Sequence, residues 1–243
     1  MMKDLKLNVD KEITSSRRNT ENYKSLRANI DFCSSAPKVI MVTSSIPGEG
    51  KSTVSLHLAN EIANSGKKTL LLDCDLRKSH LADDFQVSEK DRAGVSDVLV
   101  KRISTNDALF ATNNPHLYVI LNGTIPPNPT ELLERKQMGL LIDLLRKVFD
   151  YIIVDAPPMA SVIDAAIISK WCDGILFVVA SDVVSYRIVQ RATGQLERAG
   201  GNILGMVLNK IKFSNRALYG TYGANKYYYG TYSKYYDEEG EKS

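Results

Sequence analysis

Short apolar runs alternate with longer segments of helical periodicity along most of the chain. The apolar runs are Val39–Thr43, Thr69–Asp73, Leu117–Leu121, Tyr151–Asp155, Ile175–Val179 and Ile203–Leu208. They are continuously hydrophobic and rich in Val, Ile and Leu, which is typical of strands buried on both faces of a parallel sheet. Helical segments lie between them, near Lys51–Ser65, Glu131–Phe149, Ser161–Trp171 and Val184–Ala199. This alternation predicts an α/β fold, a mostly parallel β-sheet with helices on both faces and right-handed crossovers.

The two ends of the chain depart from this alternation. Residues 1–19 are polar and without periodicity, which predicts a flexible N-terminal arm. A helix is predicted over residues 20–36, with Thr20 as its cap and Pro37 after its end. Residues 37–212 form the predicted main domain. Residues 213–243 consist largely of Tyr, Gly, Asn, Ser and Lys, which cannot form an aliphatic core, so they predict a flexible tail.

Length, charge and cysteine content exclude several classes of protein. The 243 residues fit one large α/β domain. A net charge of +3 gives no reason to expect a nucleic-acid partner. No apolar stretch approaches the ~20 residues of a membrane span, and the N-terminus has no apolar signal region. Cys33, Cys74 and Cys172 are far apart, which predicts reduced, buried thiols and a cytoplasmic location.

The loop after the first predicted strand carries the most specific motif. Residues 45–53 read S-I-P-G-E-G-K-S-T and match a Walker A loop, with Ser45 in place of its first glycine. Such a loop directs backbone N–H groups at phosphate oxygens. The residues predicted to bind the nucleotide are Pro47, Gly48, Glu49, Gly50, Lys51, Ser52 and Thr53. Lys51 is expected at the β- and γ-phosphates, Ser52 at Mg²⁺ and Thr53 at the α-phosphate. An ordinary glycine-rich turn is the alternative, which the flanking strand and helix disfavour.

Two further strands end in aspartate, which strengthens the prediction of a P-loop NTPase-like domain. Asp73 and Asp75 follow one strand, and Asp155 follows another. Carboxylates at the carboxyl ends of parallel strands meet at one edge of the sheet, and Mg²⁺ prefers hard oxygen ligands. We therefore expect Ser52, Asp73 and Asp155 to hold Mg²⁺. A single aspartate at a strand end is more often a cap or a turn former.

The residues after the last strand bear on which nucleotide binds. Asn209 and Lys210 resemble the start of the motif by which GTPases read guanine, but Lys212 stands where those proteins have aspartate. GTP is therefore disfavoured and ATP preferred, with Asn209 a candidate contact for the adenine edge.

A P-loop predicts nucleotide binding without deciding the reaction. The chain has no H-R-D loop and no D-F-G motif, which sets aside eukaryotic-type protein kinases. ATP-dependent switch proteins of the MinD/ParA type carry an extra lysine near the start of the loop, and Ile46 takes its place here. A nucleotide-dependent switch or scaffold that hydrolyses ATP stays open as the alternative to an enzyme that phosphorylates tyrosine.

An ordered set of motifs resembles the cytoplasmic kinase subunit of the bacterial tyrosine kinases that control capsule and exopolysaccharide synthesis. The set comprises E-x-x-K-x-x-R at 21–27, P-G-E-G-K-S-T at 47–53, L-L-D-C-D-L-R at 71–77, N-G-T-I-P-P-N-P at 122–129, E-L-L at 131–133, D-A-P-P at 155–158 and the tyrosine tail. The resemblance spans nearly the whole chain. Lys24 departs from the arginine that the family commonly has in the first motif, which keeps the charge but loses bidentate pairing.

The resemblance implies that the chain autophosphorylates its tail, mainly on a neighbouring subunit. Eight of the 12 tyrosines fall in this tail, and the implied acceptors are Tyr219, Tyr222, Tyr227, Tyr228, Tyr229, Tyr232, Tyr235 and Tyr236. It also implies a ring of subunits with Glu21, Lys24 and Arg27 at the interface, although that spacing also fits a solvated intrahelical salt-bridge run. A membrane-embedded polysaccharide co-polymerase would activate the chain and recruit it to the inner face of the membrane, and a tyrosine phosphatase would oppose it.

The predicted catalytic residues are Lys51, Asp73, Asp75 and Asp155. A tyrosine hydroxyl has a pKa of about 10 and needs a carboxylate to accept its proton. Asp75 is the candidate base, with Asp73 holding the Mg²⁺ shell or sharing that work. The alternative for Asp75 is a salt bridge with Arg77. For the tail, the alternatives are a sticky aromatic linker or a strip on which RNA bases stack.

Overall fold

The computed structural model describes residues 6–9, 17–33, 36–160 and 163–211. The chain divides into one unit of residues 1–210 and a second of residues 211–243, of which Ile211 is described. The predicted tail and all of its tyrosines therefore lie outside the described residues.

Seven strands form one sheet. They are β1 (Val39–Ser44), β2 (Thr69–Asp73), β3 (Leu109–Ala111), β4 (Leu117–Ile120), β5 (Tyr151–Asp155), β6 (Gly174–Ala180) and β7 (Ile203–Asn209). Their order across the sheet is β3-β4-β2-β5-β1-β6-β7. Only β3 runs antiparallel to its neighbour, so the predicted mostly parallel sheet is confirmed.

Helices cover both faces of the sheet, as predicted. They are α1 (Arg17–Asp31), α2 (Lys51–Asn64), α3 (Leu81–Asp84), α4 (Val95–Leu99), α5 (Thr105–Ala108), α6 (Pro129–Glu134), α7 (Lys136–Arg146), α8 (Asp164–Ile168) and α9 (Tyr186–Arg198), with 3₁₀ turns at Glu89–Asp91 and Ser169–Trp171. Helices α1 to α3 pack on one face and α4 to α9 on the other. None of the helices in the described part of the chain is long and apolar enough to cross a membrane.

The central strands are apolar because they are buried on both faces. In β1, Val39 and Met41 pack into the core beneath α4 to α9, whereas Ile40 and Val42 pack beneath α1 to α3. All six residues of β1 and all five of β2 are buried. The buried polar side chains of these strands therefore lie at the strand ends, as Ser44, Asp73 and Asp155 do.

The sheet edges differ from the sequence prediction. The prediction missed β3, because three residues paired antiparallel give no periodic signal. It was also wrong that Ile203–Leu208 is buried on both faces: β7 is an edge strand, and Met206 and Leu208 are 59% and 58% exposed. Of the three cysteines only Cys74 is buried; Cys33 and Cys172 are half-buried.

Two predicted helices are shorter than their patterns suggested. The segment 131–149 breaks at Arg135 into α6 and α7, where the backbone becomes extended. Helix α6 begins at Pro129, and the hydroxyl of Thr130 in its first turn donates to Asp164 Oδ1 (2.7 Å). The predicted helix 161–171 is reduced to α8 and a 3₁₀ turn, and residues 161–162 lie outside the described part.

The N-terminal arm is partly held against the body. Leu7 donates its backbone N–H to Ala111 (3.0 Å) and accepts one from Asn113 (3.0 Å). Leu7 and Val9 are 2% and 1% exposed. The expected flexible arm is therefore wrong for residues 6–9, because two isolated apolar side chains find a place beside β3. Helix α1 begins at Arg17, so Thr20 lies inside it.

A half-buried ion pair joins the amino-terminal ends of β1 and β6. Both oxygens of Asp173 accept hydrogen bonds from Arg146 (2.7 and 2.8 Å), and one also accepts the backbone N–H groups of Lys38 and Val39 (both 2.8 Å). Burial of Asp173 favours its neutral form, but these donors outweigh that effect and lower the pKa of its carboxyl. Asp173 therefore stabilises the fold above the ordinary aspartate pKa, and this contribution is lost as the pH falls through its lowered pKa.

We expect Asp173→Asn to lower the free energy of unfolding at pH 7 by about 1–3 kcal/mol, because charge-assisted hydrogen bonds are replaced by neutral ones. The deficit should shrink in strong acid, where the parent carboxyl is also neutral. Urea denaturation across a pH series measures both effects. Glu197→Gln, on the exposed face of α9, is the control and should change stability by less than about 0.5 kcal/mol. An equal deficit at every pH would contradict this assignment.

Candidate nucleotide and phosphoryl-transfer site

The loop between β1 and α2 has the backbone of a phosphate-binding loop. Gly48 and Gly50 adopt left-handed conformations, with φ of 81° and 93°. The conformation of Gly50 favours glycine, and a Cβ there would also displace the amide of Asn209. Helix α2 starts directly after, at Lys51, and its amino terminus brings a partial positive charge to the loop.

Buried polar contacts hold this loop from the β6 and β7 side. The carboxylate of Glu49 accepts two backbone N–H groups. One is that of Ile46 in the same loop (2.9 Å), and the other is that of Ala180 at the end of β6 (3.0 Å). Asn209 Nδ2 donates to the carbonyl oxygen of Glu49 (3.0 Å), and Lys210 Nζ donates to that of Gly48. The Glu49 side chain thus shapes the loop, which leaves its backbone for the predicted phosphate contact. The predicted adenine contact of Asn209 stays a prediction.

The sheet brings the three predicted aspartates to one place beside Lys51. Lys51 Nζ lies 3.1 Å from Asp75 Oδ2 and 3.5 Å from Asp155 Oδ2. Asp73 and Asp155 are register partners on the adjacent strands β2 and β5. The alternative of an Asp75–Arg77 salt bridge is wrong, because Arg77 pairs with Asp164 (Nε–Oδ2 2.7 Å). The ammonium of Lys51 therefore contacts two buried carboxyl groups, and a third, that of Asp73, lies on the strand next to that of Asp155.

Burial and mutual charge set the electrostatics of this cluster. Burial disfavours the ammonium form of Lys51, but the carboxylates of Asp155 and Asp75 outweigh that cost and raise its pKa. Burial raises the pKa of Asp73 well above its usual range, and the charge of Asp155 adds to the effect. Burial likewise raises the pKa of Asp155, against the charge of Lys51. The Asp73–Asp155 pair therefore holds a proton more readily than two isolated carboxyls.

The carboxyl pair has oxygen atoms to spare for a metal ion. Asp73 Oδ2 and Asp155 Oδ2 are buried and accept no hydrogen bond from the described residues. Ser52, at the start of α2, accepts a hydrogen bond from Lys51 Nζ (3.2 Å). Mg²⁺ is bound in such sites by one or two carboxylates, a hydroxyl and substrate phosphates, so these residues fit it.

Sequence reasoning missed the residues that orient the cluster. Ser55 donates its hydroxyl to Asp155 Oδ1 (3.1 Å), and Asn122 Nδ2 donates to the carbonyl oxygen of Asp75 (3.3 Å). Ser55 lies on α2 one turn beyond Lys51, so helical spacing from the P-loop lysine was a usable signal. Asn122 belongs to a motif quoted for the family resemblance, but no role could be assigned to it without the fold.

The residues predicted at an oligomer interface lie on α1 and make contacts within the chain. Lys24 Nζ pairs with Glu21 Oε1 (2.8 Å), and both side chains are largely exposed. Arg27 reaches Asp31 (3.2 Å) on α1 and Glu61 (3.9 Å) on α2. The intrahelical salt-bridge alternative is thus present in the single chain, and the interface role stays a prediction.

Comparison with known proteins agrees with this geometry. A family model described as ParA, NUBPL iron-transfer P-loop NTPase, matches residues 35–226. Tyrosine-protein kinase CpsD of Streptococcus pneumoniae is 42% identical over 226 residues, which are 93% of this chain and 97% of that protein. The crystal structure of the chimerical protein CapA2B2 superposes with a TM-score of 0.78 at 31% identity, over 85% of this chain and 94% of that one.

Fold and site together define a P-loop NTPase of the ParA type. MinD of Pyrococcus furiosus shares that fold at a lower TM-score of 0.62 and 28% identity, over 74% of each chain. The identity to the kinases is higher and extends over nearly the whole length. The chain therefore belongs to the bacterial tyrosine-protein kinases, and the switch alternative is less supported.

The raised pKa of Asp73 makes a prediction for the nucleotide-free, metal-free protein. An acid whose folded pKa exceeds its unfolded pKa costs stability as the pH rises between the two values, because the folded state resists ionisation. The backbone N–H of Asp75 donates to Asp73 Oδ1 (3.1 Å), and the amide oxygen of Asp73→Asn can still accept it. The variant has no carboxyl to ionise, so the cost of ionisation in the folded state is removed. In EDTA at pH 8 we expect the variant to be more stable than the parent by at least about 1 kcal/mol, since one pKa unit is worth about 1.4 kcal/mol.

Chemical denaturation at pH 5 and pH 8 measures this effect. The parent should lose stability between the two values relative to the variant. Asp143→Asn, which changes an exposed carboxyl on α7, is the matched control and should follow the parent. A variant that is less stable than the parent at pH 8 would show that Asp73 is ionised and stabilising in the free protein.

Proposed function

We propose that this chain transfers the γ-phosphoryl group of MgATP to tyrosines of its own C-terminal segment, mainly on a neighbouring copy. The observation that carries the proposal is the position of Lys51 Nζ, which lies 3.1 Å from Asp75 and 3.5 Å from Asp155 beside the P-loop. Membership of the bacterial tyrosine-protein kinases supports the same reaction.

Each residue of the cluster has a distinct part in this proposal. The P-loop backbone and Lys51 bind the phosphates, and Lys51 neutralises charge on the transferring group. Ser52, Asp73 and Asp155 would hold Mg²⁺, which lowers the charge on the phosphate oxygens when it is bound. Thr53, which is exposed at the first turn of α2, would reach the α-phosphate.

Asp75 is the proposed base. Its Oδ1 accepts the backbone N–H groups of Lys78 (3.1 Å) and Arg77 (3.4 Å), so its Oδ2 is directed at Lys51. Once Lys51 binds phosphate, Asp75 Oδ2 is free to accept the proton of a tyrosine hydroxyl. The tyrosine oxygen forms a bond to the γ-phosphorus, the bond to the β–γ bridging oxygen breaks, and ADP leaves with the electron pair.

ATP is the proposed nucleotide rather than GTP. Asn209 lies at the end of β7 beside Gly50, where its amide can meet a base as well as the loop. Lys212, which takes the place of the guanine-reading aspartate, lies outside the described residues.

Tethering explains how several different tyrosines can be acceptors for one active site. A segment attached to an adjoining subunit reaches effective concentrations near millimolar, so weak recognition of the sequence around each tyrosine is enough. The eight tyrosines from Tyr219 to Tyr236 would then be equivalent acceptors.

The proposal includes a ring of copies, with the exposed Glu21–Lys24 face of α1 at the interface. We extend to this chain the setting that the family resemblance implies: activation and membrane recruitment by a membrane-embedded polysaccharide co-polymerase, from the cytoplasmic side, and reversal by a tyrosine phosphatase. In this setting, phosphorylation would regulate capsular or exopolysaccharide synthesis and export.

A mixing experiment tests phosphorylation between copies. Lys51→Met keeps the tail but lacks the phosphate-binding ammonium, and a second variant with all eight tail tyrosines changed to Phe keeps the site but lacks acceptors. Neither should label itself with MgATP and an activator peptide. Mixed together, they should place phosphotyrosine on the Lys51→Met tail, read by mass spectrometry, because the acceptor and the active site then lie on different copies.

Lys51→Arg is the matched control for local folding. It keeps the positive charge beside the carboxylates but replaces the compact ammonium with a guanidinium. Labelling that occurs only in the parent and never in the mixture would indicate transfer within one copy. Phosphate release without any modified tyrosine would overturn the kinase proposal in favour of an ATPase switch.

Phosphorylation should also limit itself. Each phosphotyrosine adds about −1.5 to −2 charges, so full modification of the tail adds roughly −12 to −16 to a net charge of +3. We expect this repulsion to loosen the ring, and native mass spectrometry should show smaller assemblies after phosphorylation. The all-Phe variant, given the same treatment, should keep its mass. An unchanged mass in the phosphorylated parent would refute the idea.

A further inference from the structure

A second ionic cluster, centred on a buried carboxylate, lies next to the site, on residues to which no role has been assigned above. Asp164, the first residue of α8, has a side chain that is 1% exposed. Arg77 Nε lies 2.7 Å from its Oδ2, and Arg77 Nη2 lies 3.4 Å from its Oδ1. The Thr130 hydroxyl donates to Asp164 Oδ1 (2.7 Å) and accepts from Arg77 Nη2 (2.8 Å). Each member of this triad bonds the other two.

The triad joins three segments that are distant in sequence. Arg77 follows β2, Thr130 lies in the first turn of α6, and Asp164 starts α8, which follows β5 and its Asp155. A buried carboxylate is costly unless it is paired and its remaining lone pairs are satisfied. Because Asp164 is satisfied only when all three segments are in place, the triad resists displacement of any one of them.

Arg77 transmits that restraint to Asp75. The two residues share one turn, in which Asp75 Oδ1 accepts the N–H groups of Arg77 (3.4 Å) and Lys78 (3.1 Å). The Asn122 amide restrains the same turn from the other side, through the Asp75 carbonyl oxygen (3.3 Å). A guanidinium fixed at both Nε and Nη2 cannot rotate freely, so the backbone that follows Asp75 is anchored.

We infer that the Arg77–Asp164–Thr130 triad is a positioning device for Asp75, holding its carboxylate where it receives the tyrosine proton. The three residues do not contact Lys51 and are not catalytic residues; they act through the turn that carries the base. The inference rests on the proposed role of Asp75. Displacement of a reacting group by about 1 Å can cost about 100-fold in rate, so a rigid support is worth more here than its effect on stability.

The test measures phosphorylation of the Lys51→Met chain by the full chain carrying each triad variant, at saturating activator peptide. Asp164→Asn is expected to lower kcat by about tenfold or more while the KM for ATP stays within about twofold, because phosphate binding does not depend on the triad. Thr130→Val should give a smaller loss in the same parameter. Arg77→Lys should retain more activity than Arg77→Met, since it keeps one charged contact.

A matched control separates positioning from stability. Asp173→Asn disrupts a half-buried arginine–aspartate pair at the opposite ends of the strands, where Arg146 lies 2.7 Å from Asp173. It should lower the unfolding temperature as Asp164→Asn does but leave kcat within about twofold. Should Asp164→Asn fail to fold, Thr130→Val and Arg77→Lys decide the question.

A double variant shows whether the triad acts through Asp75. Added to Asp75→Asn, the change Asp164→Asn should cause no further loss of single-turnover rate, because residues that act as a unit are not additive. Full activity of both Thr130→Val and Asp164→Asn, or a further loss in the Asp75→Asn background, overturns the inference. An inactive parent would instead show that the proposed function is wrong, so the two failures are distinct.

Discussion

The charge balance around Lys51 is the constraint on which the rest of the site depends. One buried ammonium faces the carboxylates of Asp75 and Asp155, with Asp73 beside them. Buried charges are tolerated only when they are paired, so the P-loop, β2 and β5 must end at the same edge of the sheet. The cluster is also poised for exchange, since a phosphate can replace a carboxylate as the partner of Lys51.

The same sheet supports different reactions within this fold. MinD shares the fold at a TM-score of 0.62, and a P-loop alone does not distinguish a switch from a kinase. What distinguishes this chain is the position of Ile46, in place of the lysine of the switch proteins, and the supply of tyrosines after β7. These features, rather than the shared sheet, set this chain apart from the switch proteins.

Side chains in and around the nucleotide loop restrain the geometry of this site. Glu49 ties the loop to the end of β6, and Ser55 orients Asp155. Arg77, held by Asp164, anchors the turn of Asp75. Polar contacts of this kind favour one arrangement of the loops, which keeps Asp75 and Lys51 at a defined distance.

Local pattern in the sequence determined the central strands, the P-loop and the acidic strand ends, because continuous apolar runs and a glycine-rich strand-to-helix turn are properties of a few adjacent residues. Tertiary structure alone decided the features that depend on distant partners. The Arg77 side chain pairs with Asp164, 87 positions away, rather than with Asp75, two positions away. Leu7 is buried beside β3, and β7 is exposed because it lies at the sheet edge. The hydrophobic pattern of one segment does not identify the segment against which it packs, because that pairing depends on burial and charge pairing across the whole chain.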